Sequence, residues 1–480
     1  MLRLVIKKEL LESILSFKFV IIFPATVALF FLSFLMGIHE YKAQVMAHSN
    51  VVRLNRDQLE RSTDWRQVGE AGVFVSRRPS PLTVFATGVF GITGQVARVV
   101  DRDLPTMERG RLATNPTFML FGSWDFHFVV RIVLSLFAFL FAYDAISGEK
   151  ETGTLRVLLS YPISRSQIIF GKAVGRFLSL GVAFTLAFLI GFILISVGSE
   201  IHYTAENYLR IVFIFLGSLM YLGIFFAIGL MASCLADRSI ISLLLSLFIW
   251  VLLIFAIPKA AVSVASFLRP VPTPAELEAK KAALAKDMYI KLKLSEEEPL
   301  RRWLSRPAGN VSDAELYRRQ KEAEKEFGRL RQLNEAEHAE KLYRLHEEYL
   351  GKQRALHHMT AIFSRFSPAA CYDYFITELA ETGPSDIDSF LDQLLDYQKR
   401  FSRVVSDMRL GQEIIYVVYA LEDPFKLTRP DLSKIPNFEY KSRPWQQRWA
   451  RAIGDFGLLS VYATLIFLVS YVSFLTYDPR

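Results

Sequence analysis

Five stretches of this chain run for about 20 residues without a charged side chain, the length a helix needs to cross a bilayer. These stretches are Phe19 to Ile38, Phe177 to Gly198, Ile211 to Leu235, Ser239 to Ile257 and Phe456 to Thr476. Backbone N–H and C=O groups find no water inside the hydrocarbon layer, so they must bond within the segment that crosses it. The pattern therefore predicts an integral membrane protein with helical spans.

A sixth span is predicted at 126–143, although this stretch contains His127 and Arg131. An arginine at mid-span costs about 2.5 to 3.5 kcal/mol on insertion scales. Arg131 lies near one end, where its long side chain can reach the headgroups. The stretch Pro81 to Ala97 is also free of charge, but its glycines disfavour a rigid helix, and we place it outside the membrane core. We therefore expect an all-α polytopic membrane protein with six spans.

The positions of the basic residues predict the orientation. The short basic segments 1–18, 144–176 and 236–238 fall on one side of a six-span chain, which the positive-inside rule makes cytoplasmic. Both termini are then cytoplasmic, and we expect the protein in the cytoplasmic (inner) membrane. The expected organisation is an amphipathic interfacial helix 1–18, TM1 19–38, a first extracytoplasmic insert 39–125, TM2 126–143, a cytoplasmic loop 144–176, TM3 177–198, TM4 208–235, TM5 239–265, a second extracytoplasmic insert 266–455 with long charged helices, and TM6 456–476.

Composition excludes several classes of function. Two cysteines are too few for a disulfide-stapled secreted scaffold. The net charge of +8 is expected to anchor the protein beside anionic lipid rather than to bind nucleic acid. The chain has no G-x-x-x-x-G-K-[ST], G-x-G-x-x-G, H-E-x-x-H or G-x-S-x-G motif. We therefore expect no catalytic residue, no metal site and no cofactor in this chain.

The stretch from Asp144 to Lys172 carries the most specific pattern. Gly153 permits a sharp bend and Thr154 can cap the helix that follows. Glu149 and Glu151 complement the positive end of a helix, and Pro162 ends the following turns. The apolar residues that share one face of this short helix are Leu155, Leu158 and Leu159. The pattern predicts a surface helix whose apolar ridge is available to a partner.

This order of residues, with Pro-Ile-Ser-Arg at 162–165 and Gly-Lys at 171–172, resembles the permease subunits of ATP-binding-cassette (ABC) transporters of the second exporter class. The resemblance implies two permease subunits, identical or homologous, and two separate ATPase subunits that carry ATP and Mg²⁺. It assigns ATPase coupling to Glu149, Glu151, Gly153, Thr154, Leu155, Leu158, Leu159, Pro162 and Arg165. The inserts, with Pro-Ser-Pro-Leu at 79–82 followed by Gly88, are similar to a bacterial branch whose substrate is unassigned.

Two functions follow as alternatives. The first is a permease that couples ATP hydrolysis to export, extraction or mechanical signalling. The second is a receptor or scaffold that transports nothing and whose helical insert binds an extracytoplasmic partner protein, with the surface helix only anchored on lipid. Arg131 either meets headgroups or lines a pathway, while Arg210 and Asp455 are expected at the membrane interface.

Overall fold

The structure, a computed structural model, describes residues 2–101, 103–108, 110, 113, 123–198, 201–305, 313–419 and 430–477. Three short strands pair in one small sheet, and helices make up most of the rest. The helices are α1 Leu2–Ile14, α2 Phe17–Arg61, α3 Trp65–Ala71, α4 Phe90–Thr93, α5 Phe126–Leu140, α6 Ser147–Glu151, α7 Thr154–Ser160, α8 Arg165–Gly198, α9 Ala205–Leu235, α10 Ser239–Leu268, α11 Pro274–Leu304, α12 Asp313–Ser364, α13 Pro368–Ala380, α14 Pro384–Tyr419 and α15 Trp445–Leu475. The strands are β1 Val73–Ser76, β2 Val96–Val99 and β3 Thr106–Met107, and Pro81–Val84 and Leu432–Lys434 form single 3₁₀ turns.

Six apolar helices form a bundle, which confirms the all-α polytopic class. Among the described residues, α2, α8, α9, α10 and α15 are long and apolar enough to cross a membrane, and α5 is a shorter apolar helix. The stretch 81–97 is not a span, since it folds as a 3₁₀ turn, the short helix α4 and the start of β2. Leaving it out of the count of spans was therefore correct.

Two spans are much longer than their apolar windows. Helix α2 has 45 residues and ends at Arg61 rather than near residue 38, because the residues after Gly37 contain no proline or glycine that would stop it. Helix α15 begins at Trp445 rather than at 456. The first insert thus starts as a direct helical extension of the first span, which the sequence analysis missed.

Phenylalanine rings hold the bundle together where the inserts join it. Phe34 stacks on Phe126 with ring centroids 5.6 Å apart, and Phe85 meets Phe126 edge to face at 5.7 Å. Phe85 and its neighbour Leu82 are fully buried in the same core as the spans. The 81–97 stretch therefore closes this end of the bundle, which we call the insert end.

Helix α13 corrects the predicted organisation, which placed all of 266–455 outside the membrane domain. Tyr372 and Phe375 are buried in the core that the spans share. A Cβ built on Gly217 of α9 would lie 2.1 Å from Cε1 of Phe375, so α13 packs as closely on α9 as a glycine allows. At 13 residues, α13 is a wedge in the insert end of the bundle and is too short to be a span.

The two inserts share a second core. Strand β1 pairs antiparallel with β2, with Val73 opposite Val99, and β2 pairs with β3. Helix α14 covers this small sheet through buried Phe390 and Tyr397. The inserts therefore form one unit beside the bundle.

A buried ionic cluster joins this unit to the spans. Asp386 is 0% exposed and lies 3.1 Å from both Arg443 and Arg448. Glu381 accepts from Arg210 of α9 at 2.6 Å. We expected Arg210 at the membrane interface, but it is buried inside the protein, where a carboxylate of the second insert pairs with it. Asp455 is also buried, and it pairs with Arg365 at 2.6 Å.

Candidate functional site

The connection between α5 and α8, residues 141–164, contains the short helices α6 and α7 and most of the motif residues. Gly153 separates the two helices with φ +73° and ψ 0°, a left-handed conformation that glycine adopts without strain. A Cβ at Gly153 would meet no atom within 4 Å, so the glycine is required for its backbone conformation alone. Thr154 does not cap α7 as predicted, because Gly153 occupies the cap position and the Thr154 hydroxyl lies 2.9 Å from that of Thr152.

Glu149 ties α6 to α8 and α1 through a buried lysine. The Lys172 ammonium is 1% exposed and lies 2.6 Å from Glu149 Oε1 and 2.6 Å from Glu9 Oε1. Burying an ammonium is costly unless carboxylates pair with it. Lys172 therefore fixes three helices at one point.

The same cluster extends to the ends of α5 and α2. Arg176 donates to Glu9 Oε2 at 3.1 Å and to Asp144 Oδ1 at 2.8 Å. Lys18 near the start of α2 pairs with the other oxygen of Asp144. Three cations and three carboxylates thus alternate from α2 to α6, and their formal charges balance.

The next two residues of α6 bind α9 and α10. Lys150 Nζ donates to the Cys234 carbonyl at 2.6 Å and to the Ala236 carbonyl at 3.1 Å, which satisfies backbone acceptors at the carboxyl end of α9. Glu151 Oε2 accepts from the Ser239 N–H at 3.1 Å, at the amino end of α10. This contact lowers the pKa of Glu151, because the backbone N–H bonds to its charged form. Glu151 therefore complements the start of α10 and not the start of α7.

Arg165 ties the start of α8 to the last span. Its Nη1 donates to the Leu475 and Tyr477 carbonyls, at 2.8 Å each. The Ser166 hydroxyl lies 2.8 Å from the Tyr471 hydroxyl, one helical turn before Leu475. The connection is thus attached to α8, α9 and α10 by a different side chain in each case, and Arg165 of α8 joins the start of that span to α15.

The apolar residues of α7 divide differently from the prediction. Leu155 is 1% exposed and belongs to the core of the bundle. Leu158 and Leu159 are partly buried against the same core. Val157 and Tyr161 are 59% and 58% exposed. The ridge open to a partner is therefore Val157 and Tyr161, while Leu155 faces the bundle. Pro162 follows the end of α7 at Ser160, and Arg156 is exposed beside the ridge.

Two glycines of α8 allow α1 to pack close beside it. A Cβ on Gly171 would lie 2.5 Å from Val5 Cγ1, and one on Gly175 would lie 2.9 Å from the Ile6 carbonyl oxygen. Small residues four apart let helix backbones approach. As a result Glu9 of α1 turns inward, and α1 is bound along α8.

The pH dependence of this docking follows from Glu9. Burial raises the pKa of Glu9, but the nearby charges of Lys172 and Arg176 lower it by more. The resulting pKa lies below the ordinary value of 4.5. A carboxyl whose folded-state pKa is lowered stabilises the fold above its unfolded pKa and loses that contribution as the pH falls through the folded pKa. We expect Glu9→Gln to lower the melting temperature at about pH 7. Below pH 4.5 the difference in melting temperature between the variant and wild type is expected to become smaller. Thermal unfolding of both proteins across this pH range measures the difference. A difference in melting temperature that does not depend on pH would contradict the prediction.

Arg131 lies in the half of α5 at the insert end, ten residues before the connection begins. It forms an ion pair with Asp373 of α13 at 3.0 Å. Among the residues that the structure describes, no group of three or more His, Cys, Asp or Glu side chains is placed to hold a metal ion.

The family model described as ABC-2 family transporter protein matches residues 3–478. A stretch of 64 residues is 50% identical to a protein of Stutzerimonas stutzeri named probable ABC transporter permease protein NosY. The protein of the same name from Pseudomonas aeruginosa is 47% identical over 64 residues. Each match covers 13% of this chain and 22% of the relative. Because the family model extends over nearly the whole sequence, the chain belongs to the ABC-2 transporter family and is a multi-pass membrane subunit of an ABC transporter.

Proposed function

We propose that this chain is the permease that couples ATP hydrolysis, on a separate ATPase subunit, to export, extraction or mechanical signalling across the cytoplasmic membrane. In this proposal the α5–α8 connection faces the cytoplasm, as do both termini. Two copies of the ATPase bind there and carry ATP and Mg²⁺. A second permease, identical or homologous, completes the assembly in the bilayer.

The observation that carries the proposal is the attachment of α6 and α7 to separate spans. Glu149, Lys150 and Glu151 are consecutive, and they bind α8, α9 and α10 respectively. Arg165 joins the start of α8 to α15. A partner's movement reaches the spans only through a rigid element that contacts both. An element held at three helices fits this role better than a helix that only rests on lipid.

Val157 and Tyr161 are the proposed contact with the ATPase. Val157 lies in α7, Tyr161 directly follows its last residue Ser160, and both side chains are exposed. Leu155 lies on the other side of α7. We therefore propose that Leu155 transmits force into the bundle and that Val157 and Tyr161 receive it.

The test is capture of an ABC ATPase subunit from the same genome, coexpressed with the tagged permease in membranes. The double variant Val157→Asp, Tyr161→Asp is expected to reduce ATPase capture at least tenfold, because it places two charges in an apolar contact. Leu155→Ala is expected to retain capture and to lower ATP turnover in the complex, because it leaves a cavity beneath α7 without changing its exposed face.

Tyr289→Asp supplies the matched control. Tyr289 is an exposed aromatic residue of the second insert, and its replacement is expected to leave capture unchanged. Full capture by the Val157 and Tyr161 variant would refute the proposed contact. A wild-type chain that captures no ATPase would instead favour the receptor or scaffold.

A further inference from the structure

Two of the spans contain a segment of π-helix, and both segments touch the same part of the second insert. In α5 the π-helix is Val129–Leu134, and in α10 it is Leu252–Ala256. A π-helical turn shifts the backbone hydrogen bonds by one residue and leaves carbonyl groups free for other donors. The partners of these carbonyls therefore influence how each span bends.

In α10, two side chains from elsewhere bond to these carbonyls. The Ser367 hydroxyl, at the start of the wedge α13, donates to the Leu253 carbonyl. Arg131 Nη2, from the π-helix of α5, donates to the Ile254 carbonyl at 3.4 Å. The two π-helices are thus joined directly by Arg131.

In α5, the wedge holds Arg131 itself. Asp373 Oδ1 lies 3.0 Å from Arg131 Nε and 2.7 Å from His127 Nε2. The Arg131 carbonyl accepts from the Tyr221 hydroxyl of α9 at 2.8 Å. Tyr221 in turn stacks on Tyr372 of the wedge, with ring centroids 4.4 Å apart. The wedge therefore contacts the π-helix of α5 through a carboxylate and that of α10 through a hydroxyl.

The wedge is fixed to the other spans and to the insert. Phe375 packs on Gly217 of α9, and Arg365, three residues before the wedge, pairs with Asp455 of α15. The 52-residue helix α12 ends at Ser364, directly before Arg365. Helix α12 is thus followed directly by the segment that carries Arg365 and Ser367.

Both spans with π-helices are also attached to the α5–α8 connection at the other end of the bundle. Helix α5 continues into the connection through the chain itself. Helix α10 begins at Ser239, whose N–H bonds to Glu151. A change of bend in either span therefore moves the α5–α8 connection.

We propose that Asp373 and Ser367 are positioning residues, which hold the two π-helices and so let the second insert set the position of the α5–α8 connection. This inference rests on the proposed function and adds a regulatory input from the second insert to the α5–α8 connection. It needs no ATPase for its test, so its failure and that of the proposed function are distinguishable.

The test is hydrogen–deuterium exchange of the purified full chain in lipid nanodiscs, without a partner. Asp373→Asn keeps the size of the side chain and removes its charge. We expect amide exchange at 147–160 to rise at least about threefold, because α5 and α10 are no longer held in one arrangement. Ser367→Ala, which removes one hydrogen bond, is expected to change the same amides in the same direction by a smaller factor.

Asp392→Asn is the control, because Asp392 pairs with Arg354 within the second insert and touches no π-helix. It is expected to leave exchange at 147–160 unchanged. Faster exchange confined to 368–380 in the Asp373 and Ser367 variants would mean a local structural role and would overturn the proposal.

Discussion

Replacing Lys172 with methionine is expected to lower the free energy of unfolding by about 3 to 5 kcal/mol. The ammonium is nearly inaccessible to solvent and lies between Glu9 and Glu149. Methionine fills a similar volume but leaves a carboxylate of α1 buried without its closest cation. The first measurement is thermal or denaturant unfolding of the chain in detergent. The second is the rate at which a protease cleaves α1.

Lys8→Met is the matched control for this change. Lys8 is an exposed lysine of α1 that pairs with Glu12 at 3.4 Å, and such surface pairs contribute about 0 to 1 kcal/mol. Adding Glu9→Gln to Lys172→Met should recover part of the loss, because it removes the unpaired charge. Equal melting of Lys172→Met and wild type would show that the buried pair does not hold α1 in place.

Asp386→Asn is the second substitution with a large expected effect. Asp386 is fully buried and accepts from both Arg443 and Arg448. The amide keeps the shape but removes the negative charge, so two buried guanidinium groups lose their shared counterion. We expect a loss of about 3 to 5 kcal/mol and easier proteolysis of α14, because this cluster attaches the inserts to the spans.

The exposed pair of Asp392 with Arg354 provides the comparison. Asp392→Asn removes the same charge from the same helix and is expected to cost less than about 1 kcal/mol. If the two variants unfolded alike, the buried cluster would contribute no more than a surface pair.

The spans could be predicted from sequence because each is recognisable on its own. A charge-free apolar window such as 211–235 needs no knowledge of its neighbours. Helix α13 could not be recognised in this way. It is as buried as the spans, but its 13 residues are too few to cross a bilayer. It also lies within a long, highly charged insert.

The buried charges were missed for a related reason. A lysine or arginine is normally exposed. Lys172 is buried because carboxylates pair with it, and one of them, Glu9, lies 163 positions earlier in the chain. No local pattern identifies such a partner. The spacing of Gly171 and Gly175 was the available signal that another helix packs on this face of α8.

The orientation of α7 shows the same limit within the candidate site. Periodicity correctly separates the faces of a helix, but it does not tell which face meets the protein. Leu155 and Val157 differ by two positions and have opposite surroundings. The conformation at Gly153, by contrast, depends on the residue itself and was predictable.

The unbroken length of α2 has a mechanical consequence. At 45 residues and 1.5 Å per residue, the helix is about 68 Å long, more than twice the thickness of the hydrocarbon layer. One end carries the Lys18 contact to Asp144, and the other reaches deep into the first insert. A tilt of about 10° at the first end would sweep the far end through about 12 Å, so a small rotation on one side of the membrane becomes a large excursion on the other.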